Sequence, residues 1–424
     1  MVSNFLPSKY FSHFFSKLAL GFIVLFLFSL HSGCSTPGRI KKEIPPTQEP
    51  IIQKKFSVDT SELEIRVLLD EFKSTLKYKV NTDVGIISNG EEIAIVKRGN
   101  TINAQLENGS ITITLGRRKF ESSSFIIISK TKTLLEYKNL KYRGEFNLTA
   151  AENEIYLINR LPLETYLMGV LPVEMGVKEN DSYFEAMKAF AIVARTFAIM
   201  RLNSGDKYYD VKNDVRDQVY RGANFETKFD NKAIEETKSK VLAYNNELAI
   251  VFYSSSCGGY TENVGNVFSR NDINYLRTIK DGYGPNCVIS PSFSWRETYS
   301  ETDFINFLFN SKMINTKSKR IDDIAIDDIF ESGRIAKLEI LFTDGEKVFL
   351  NNRNIRDVIR RKDNGGILRS TNFKIDVEKK SNSVSKINLI GKGNGHGVGL
   401  CQWGSLSLSE QGKNFEEIIQ FYFP

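Results

Sequence analysis

The sequence predicts an α+β protein, because three kinds of pattern follow one another along the chain. Residues 61–150 form short runs that alternate apolar and polar positions, with turn signals such as Asn108-Gly109 between them. This alternation is typical of hairpin strands. Two largely apolar helical segments come next, and a glycine-rich segment closes the chain. We therefore expect a β-rich front followed by a helical core.

The domain organisation follows from where these patterns change. Length alone suggests two or three domains, since 424 residues exceed one ordinary domain. A second stretch of mixed strand patterns lies inside the core. The division that we expect is a leader at 1–34, a tether at 35–55, a β-rich region at 56–150 and a core at 151–424 with a β-rich insert at about 295–385.

The first 34 residues have the pattern of an export signal. Lys9 and Lys17 precede an apolar run of 13 residues at 18–30, which suits a signal peptide and is short for a membrane span. Small residues then lead to Cys34, as at a bacterial lipoprotein cleavage site; an ordinary signal peptide or an uncleaved anchor is the alternative. We expect lipidation at Cys34 and a membrane-anchored envelope protein, at the cell surface or in the periplasm. The proline-rich segment 35–55 would act as an extended tether.

The charge of the chain argues against a nucleic-acid partner. The formal net charge is +6, and about +4 remains without Lys9 and Lys17. No dense basic stripe occurs, so the sequence predicts no nucleic-acid binding. The excess suits weak attraction to an anionic polymer or membrane face.

Two predicted helices frame one glutamate. The first helix starts at Pro162 and ends at Pro172, and the second runs from about Ser182 to Leu202, with Ser182 and Glu185 at capping-box spacing. Glu174 then lies on a short loop between them. Partial burial there would raise its pKa and keep it protonated, which a general acid needs. An exposed loop glutamate is the alternative. A third helix is expected from about 231–237 onward, and a strand at 249–253.

Two cations stand on the nearly apolar second helix. Lys188 and Arg195 are seven residues apart and so share a face. A buried guanidinium must be paired, and an ion pair with Glu185 or an aspartate is the ordinary outcome. The functional alternative places Arg195 near the catalytic carboxylate or a sugar hydroxyl.

The cysteines and histidines limit the remaining chemistry. Export permits disulfides, and Cys257 with Cys287 is the favoured pair, which leaves Cys401 odd. A Cys257–His396 peptidase pair is the alternative. His396 is the only histidine outside the leader, which excludes a multi-histidine metal site. No Walker loop or dinucleotide fingerprint occurs, so we expect no cofactor and no metal.

The glycine-rich segment at 391–404 is the last candidate for a site. Alternating glycines let the backbone approach a ligand closely. His396, Gln402 and Trp403 would supply hydrogen bonds and a face for stacking on sugars. A bend that packing requires is the alternative.

Several motifs in series resemble the stage II sporulation protein D family (SpoIID/LytB). The most specific is Gly-His-Gly-Val-Gly-Leu-Cys-Gln-Trp-Gly at 395–404, although Cys401 stands where the family often has serine or methionine. The resemblance covers roughly 61–424. The other matching segments are 161–175, 185–198, 217–222, 254–262 and 414–424.

The resemblance implies a protein of the bacterial cell wall. It implies either a lytic transglycosylase that cleaves peptidoglycan glycan strands and leaves 1,6-anhydro-muramic acid, or an enhancer of wall amidases. In the transglycosylase members the catalytic acid and base is the glutamate at the position of Glu174. Some relatives hold a metal through cysteine and histidine, which makes Cys257, Cys401 and His396 an alternative to the disulfide. A sporulation role belongs to some members only. The substrate-binding residues that we expect are Lys188, Arg195, Ser254, Ser256, His396, Gln402 and Trp403.

Overall fold

The structure, a computed structural model, describes residues 58–202, 206–380 and 382–424. The predicted leader, its lipidation at Cys34 and the tether at 35–55 lie outside these residues. Strands dominate the front of the described chain and helices follow, so the predicted α+β class is confirmed. The predicted domain division stays a prediction.

The N-terminal region consists of antiparallel strands, as the alternating pattern predicts. In the strand Thr101–Glu107, for example, buried residues alternate with exposed ones. The strands are β1 (Glu64–Phe72), β2 (Thr75–Lys79), β3 (Val84–Ser88), β4 (Glu91–Val96), β5 (Thr101–Glu107), β6 (Ser110–Leu115), β7 (Arg118–Ser122), β8 (Ser124–Ser129), β9 (Leu135–Tyr137), β10 (Leu140–Tyr142), β11 (Glu145–Ala151) and β12 (Glu154–Pro162).

The helical part follows β12 directly. A 3-10 helix, Asp181–Tyr183, separates its first two helices. The elements are α1 (Leu163–Met175), α2 (Phe184–Arg201), β13 (Val211–Lys212), α3 (Lys228–Glu236), β14 (Ala243–Tyr244), β15 (Glu247–Leu248), β16 (Tyr253–Ser254) and α4 (Val264–Val267).

The insert and the closing segment complete the described chain, after a short 3-10 helix at Asn286–Ile289. The insert contains β17 (Ser294–Ser300), α5 (Glu301–Asn310), β18 (Ile321–Ile329), β19 (Ile335–Phe342), β20 (Lys347–Asn351), α6 (Asn352–Val358), β21 (Phe373–Lys380) and β22 (Ser383–Lys392). The closing elements are β23 (Leu400–Cys401), α7 (Gln402–Glu410) and α8 (Phe415–Tyr422).

The strands form separate sheets that feed two hydrophobic cores. A seven-stranded sheet has the order β13-β1-β12-β11-β8-β3-β4, and a four-stranded sheet has the order β2-β5-β6-β7. Both share one core with α1, α2, α7 and α8. The insert has the sheets β17-β22-β21 and β18-β19-β20 around a core of its own. The two-residue strands β16 and β23 pair in parallel, so Ser254 lies opposite Cys401.

Two helix boundaries differ from the prediction, for local reasons. Pro172 does not end α1, which continues to Met175 and stops at Gly176, where φ is +59° and the N–H bonds back to the Pro172 carbonyl. The helix α2 begins at Phe184 without the predicted capping box. The side chain of Glu185 instead accepts a hydrogen bond from the backbone N–H of Phe415, at 2.8 Å.

The remaining predictions about elements are close to the structure. The third helix spans Lys228–Glu236, slightly earlier than predicted, and is capped by the side chain of Thr227. The apolar run at 249–253 becomes strand only at Tyr253–Ser254. In the part of the chain that is described, no helix has both the length and the apolar character needed to cross a membrane.

Candidate functional site

Glu174 lies on the last turn of α1 and is held from two directions. Its Oε1 accepts a hydrogen bond of 2.6 Å from the backbone N–H of Val219. Its Oε2 lies 3.4 Å from Nε2 of Gln402, and the same amide donates to the Glu174 carbonyl at 3.1 Å. The carboxyl group is therefore fixed by the segment after β13 and by the first residue of α7.

The environment of Glu174 favours a protonated carboxyl. Burial raises its pKa above the ordinary value of a glutamate. The hydrogen bonds from Val219 and Gln402, the nearby hydroxyl of Tyr253 and the positive charge of Arg221 oppose this rise without cancelling it. The sequence predicted the raised pKa, but it placed the residue on a loop instead of a helix end.

The segment 217–222 builds the side of the site opposite α7. The side chain of Gln218 is buried between the Tyr166 hydroxyl, at 3.3 Å, and the Ala194 carbonyl, at 3.4 Å. Asp217 forms an ion pair of 2.9 Å with Arg201. These contacts aim the N–H of Val219 at Glu174.

Sequence reasoning did not assign site roles to the residues of this segment, although it noted the 217–222 motif. Arg221 is half-buried and close enough to Glu174 to lower its pKa. Tyr253, whose hydroxyl is buried, acts on Glu174 in the same direction. The 217–222 motif was the available signal, because it could have been interpreted as a segment that packs around Glu174.

Arg195 is occupied by protein groups, so its predicted substrate role has no support in the structure. Its side chain is 0% exposed and forms a bidentate ion pair with Glu164, at 2.9 and 2.8 Å. Its remaining N–H groups donate to the carbonyls of Lys240 and Ile234. The ordinary alternative, a structural ion pair, is what the structure shows, with Glu164 in place of Glu185.

Lys188 is likewise occupied by protein groups. Its ammonium forms an ion pair with Glu185 and lies 3.7 Å from Glu236. It also lies 5.2 Å from the ring centroids of Phe184 and Phe415. The structure thus places Lys188 in a contact between α2, α3 and α8, and its predicted substrate role has no support there.

The serine loop and the glycine-rich segment pack against each other. Ser254 and Ser256 are buried, and the backbones of Ser256 and Asn394 exchange two hydrogen bonds, of 2.9 and 2.8 Å. Gly395 has φ of +110°, and a Cβ there would lie 2.6 Å from Cβ of Ser254. At Gly395 the missing side chain therefore makes room for Ser254 and not for a ligand, which favours the packing alternative there.

His396 is engaged by backbone groups on this same segment. Its Nδ1 accepts a hydrogen bond of 3.0 Å from the N–H of Val398, and its ring lies edge-on to Phe268. Burial, with the charges of Arg356 and Arg334, lowers its pKa to about 3. The imidazole is neutral at pH 7 and structural, so its predicted contact with substrate is not what the geometry favours.

Gln402 and Trp403 differ in what they can offer a ligand. Gln402 is buried and its amide hydrogen-bonds to Glu174, so it positions the carboxyl group. Trp403 packs against the main core and keeps part of its ring exposed. Its predicted sugar-stacking face stays a prediction.

The predicted cysteine pair is adjacent but belongs to a larger group. Cys257, Cys287 and Cys401 are buried free thiols, and the sulfurs of Cys257 and Cys287 are 3.6 Å apart. Cys401, predicted to be odd, lies with them, as does Asp281. His396 is not part of this group, which removes the alternative metal set that included it.

A nucleophilic role for Cys257 has no support in this arrangement. Burial raises the pKa of its thiol well above the ordinary value. A reactive cysteine needs a lowered pKa and access to substrate. Because its neighbours are thiols and not His396, the peptidase alternative is disfavoured.

A carboxyl with a raised pKa, held at a helix end by a backbone N–H and an amide, defines a candidate acid–base site. Two family models match parts of this chain. The family model for stage II sporulation protein, SpoIID, matches residues 151–244, and a model for a domain of unknown function matches 261–399.

Three relatives cover most of the described chain. An uncharacterized protein of Brachyspira hyodysenteriae is 29% identical over 299 residues, which span 70% of this chain and 74% of the relative. Stage II sporulation protein D of Bacillus subtilis is 27% identical over 285 residues, 63% of this chain and 74% of the relative. The amidase enhancer of Bacillus subtilis is 30% identical over 290 residues, which span 61% of this chain but only 39% of the relative.

These matches support the resemblance to the SpoIID/LytB family that the motifs indicated. The SpoIID match contains Glu174 and the 217–222 segment. This part of the candidate site therefore lies within the matched domain. The function is therefore related to the cell wall.

Proposed function

We propose that this protein is a peptidoglycan lytic transglycosylase in which Glu174 is the catalytic acid and base. The observation that carries the proposal is the position of Glu174: a carboxyl with a pKa raised by burial, held by Val219 and Gln402. A general acid must hold its proton at the working pH, and burial supplies this property.

One carboxyl suffices for the proposed reaction. Glu174 donates its proton to the glycosidic oxygen as the bond from C1 of muramic acid breaks. The resulting carboxylate then takes the proton of the C6 hydroxyl of the same sugar, whose oxygen bonds to C1. The proton count balances, Glu174 regains its proton, and the product is a 1,6-anhydro sugar. This differs from hydrolases, which use two carboxyl groups and water.

The contacts of Glu174 suit both halves of that cycle. In the second half the carboxylate form must persist long enough to accept a proton. The N–H of Val219 and the amide of Gln402 stabilise that form, since hydrogen bonds to a charged group are stronger than those between neutral groups. Burial favours the protonated form. Because the two effects oppose each other, both the protonated and the ionised form of Glu174 are accessible during the cycle.

The direct test of the proposal is digestion of purified sacculi. The products are separated and examined by mass spectrometry for muropeptides that end in anhydro-muramic acid. Their appearance with the wild-type chain supports the proposal. Sacculi that stay intact, or products with reducing ends, contradict it.

Removing the Gln402 amide is expected to move the pH profile of activity to higher pH. In Gln402→Met the carboxylate loses a stabilising hydrogen bond, so the pKa of Glu174 rises further. A general acid loses activity as pH rises through its pKa, so the alkaline limb shifts upward. Cleavage rates between pH 4 and 9 measure the shift. Gln411→Met, at the exposed end of the same helix, is the control that should leave the limb in place.

A second candidate function is a non-catalytic enhancer of a cell-wall amidase. The relative named amidase enhancer, 30% identical over 290 residues, motivates it. This chain alone would then leave sacculi unchanged and would accelerate their release of peptides by an added wall amidase. An amidase whose rate does not respond removes this alternative.

We also propose that the protein is exported and held to the membrane by lipid on Cys34. The apolar run, the small residues before Cys34 and the tether support this location. Palmitate labelling in cells should mark the wild-type chain and not Cys34→Ser. Equal labelling of both would remove the anchor from the proposal.

A further inference from the structure

Four buried side chains converge on one another, and the proposed reaction uses none of them. They are Cys257, Cys287, Cys401 and Asp281, and their ligand atoms all lie within 4.8 Å of one another. All four residues are fully buried, with 0% of their surface exposed. Three sulfurs and a carboxylate gathered in the buried interior form an unusual donor set that needs a partner.

We propose that these four side chains form a structural zinc site. Zinc is held in proteins by cysteine thiolates and carboxylates, and structural sites close all four positions with protein ligands. Thiolates also select zinc over magnesium and calcium, which prefer oxygen ligands. The proposed acid–base chemistry uses none of these four side chains, and the zinc proposal does not depend on that chemistry.

The spacing of the sulfurs fits a shared metal. Zinc–sulfur bonds of about 2.3 Å at tetrahedral angles place two sulfurs roughly 3.8 Å apart. The sulfurs of Cys257 and Cys287 are 3.6 Å apart. A disulfide needs about 2.0 Å, and it would join only two of the three sulfurs. It would leave Cys401 as a thiol against a buried carboxylate, whereas zinc uses all four groups.

Asp281 adds a second, independent reason. Its Oδ1 accepts a hydrogen bond of 2.7 Å from the hydroxyl of Tyr422, and its Oδ2 accepts one of 2.9 Å from the N–H of Cys287. Among the described residues no lysine or arginine forms an ion pair with it. A buried carboxylate needs a proton or a cation. Tyr422 and the Cys287 N–H orient it as the outer partners of metal ligands do.

The groups around the cysteines also suit a negatively charged centre. The backbone N–H of Cys257 points at Sγ of Cys401, at 3.2 Å. The fully buried guanidinium of Arg334 donates to the Cys257 carbonyl at 2.9 Å. Three thiolates and a carboxylate outweigh the charge of zinc, and Arg334 offsets part of the excess. Zinc binding releases the thiol protons to solvent, so charge is conserved.

The site joins three segments that are far apart in the sequence. Cys257 follows β16, Asp281 and Cys287 belong to the segment that ends in the 3-10 helix Asn286–Ile289, and Cys401 ends β23. Cys401 is the N-cap of α7, whose first residue, Gln402, holds Glu174. The metal would therefore fix the start of that helix.

The metal content of the full chain is the first measurement. Protein purified without chelator should contain about one zinc per chain by plasma mass spectrometry. The thiols of Cys257, Cys287 and Cys401 should react with an alkylating reagent only after chelation and denaturation. After removal of the metal, adding zinc back should restore the thermal transition, and adding magnesium should not.

Ligand variants separate the four residues from their surroundings. Cys401→Ser and Asp281→Asn should each lower zinc affinity by at least about tenfold, a scale known even for outer-shell changes. Ser290→Ala is the matched control, because Ser290 is buried beside Cys287 and is not a ligand. It should keep the wild-type zinc content. Cobalt loaded into wild type should show thiolate charge-transfer absorption, which Cys401→Ser weakens even where the variant is less stable.

Either of two results overturns the proposal. One is a peptide in the unreduced protein that links Cys257 to Cys287, with no bound zinc; this is the disulfide that the sequence predicted. The other is reduced, folded protein that takes up no more zinc than Cys401→Ser. Neither readout depends on cleavage of peptidoglycan, so failure of this proposal and failure of the proposed function are distinguishable.

Discussion

Replacing Glu174 with glutamine is expected to lower the release of anhydro-muropeptides from sacculi by about 10²–10⁴-fold, the usual contribution of a general acid or base. Glutamine keeps the shape of the side chain but has no proton to give to the glycosidic oxygen. It also cannot take the proton of the C6 hydroxyl. Initial rates from chromatography and mass spectrometry of the digests measure the loss.

The fold of Glu174→Gln should persist, because the change removes an ionisable group from a half-buried position. The glutamine oxygen can still accept the hydrogen bond from Val219. We expect thermal stability at or above that of wild type. Glu179→Gln is the matched control, since Glu179 is exposed five residues further along the chain, and it should cleave at the wild-type rate. Full activity of Glu174→Gln would end the proposed mechanism.

The same experiment separates the two candidate functions. If wild type releases no anhydro-muropeptides but accelerates an added amidase, the enhancer function is supported. Glu174→Gln should then accelerate the amidase as well as wild type does, because no proton transfer is involved. If acceleration requires Glu174 while cleavage is absent, neither mechanism as stated is adequate.

The fold class was predictable because buried residues recur along the chain at the regular spacings of strands and helices. Alternation marked the strands of the front, and the long apolar run marked α2. The helix ends were not predictable at the same level. Pro172 predicts the end of the helix, because a proline lacks an N–H and its ring crowds the preceding turn. The helix nevertheless continues through Pro172 and ends one turn later at Gly176, whose left-handed conformation forms the C-cap.

Part of the candidate site was also predictable, and the reason lies in residue chemistry. Glu174 between apolar neighbours indicated a partly buried carboxyl, whereas Gln402 was expected to bind substrate and instead holds Glu174. The pairing of the two was not predictable, since 228 residues separate them along the chain. Arg195 and His396 show the opposite case. Their types suggest function, but only the structure shows that Glu164 and the backbone at Val398 satisfy them.

The full cysteine group was missed, because the sequence favoured a Cys257–Cys287 pair and its metal alternative combined Cys257 and Cys401 with His396 instead of Cys287. Cys401 remained odd beside that pair, and this was the available signal that the pair was not the whole arrangement. Asp281 has no motif that distinguishes it from other aspartates. Only the tertiary fold shows that it lies with the three sulfurs.

Removing the charge of Arg195 is expected to destabilise the protein strongly. In Arg195→Met the carboxylate of Glu164 loses its bidentate partner, and the carbonyls of Lys240 and Ile234 lose a donor. Breaking a buried ion pair costs about 3–5 kcal/mol, because the remaining charge stays unpaired. Since Glu164 keeps some exposure, with 15% of its side chain accessible, we expect the lower end of that range. Denaturant unfolding measures the change.

Two further variants identify the source of the loss. Arg195→Met combined with Glu164→Gln should be more stable than Arg195→Met alone, because no unpaired charge remains. Lys413→Met removes an exposed pair with Glu417 and should leave the free energy of unfolding nearly unchanged, because solvent screens that pair. At a temperature where Arg195→Met is folded, its KM for sacculi should equal that of wild type. A stable Arg195→Met with a raised KM would show instead that Arg195 contacts the glycan, as the sequence predicted.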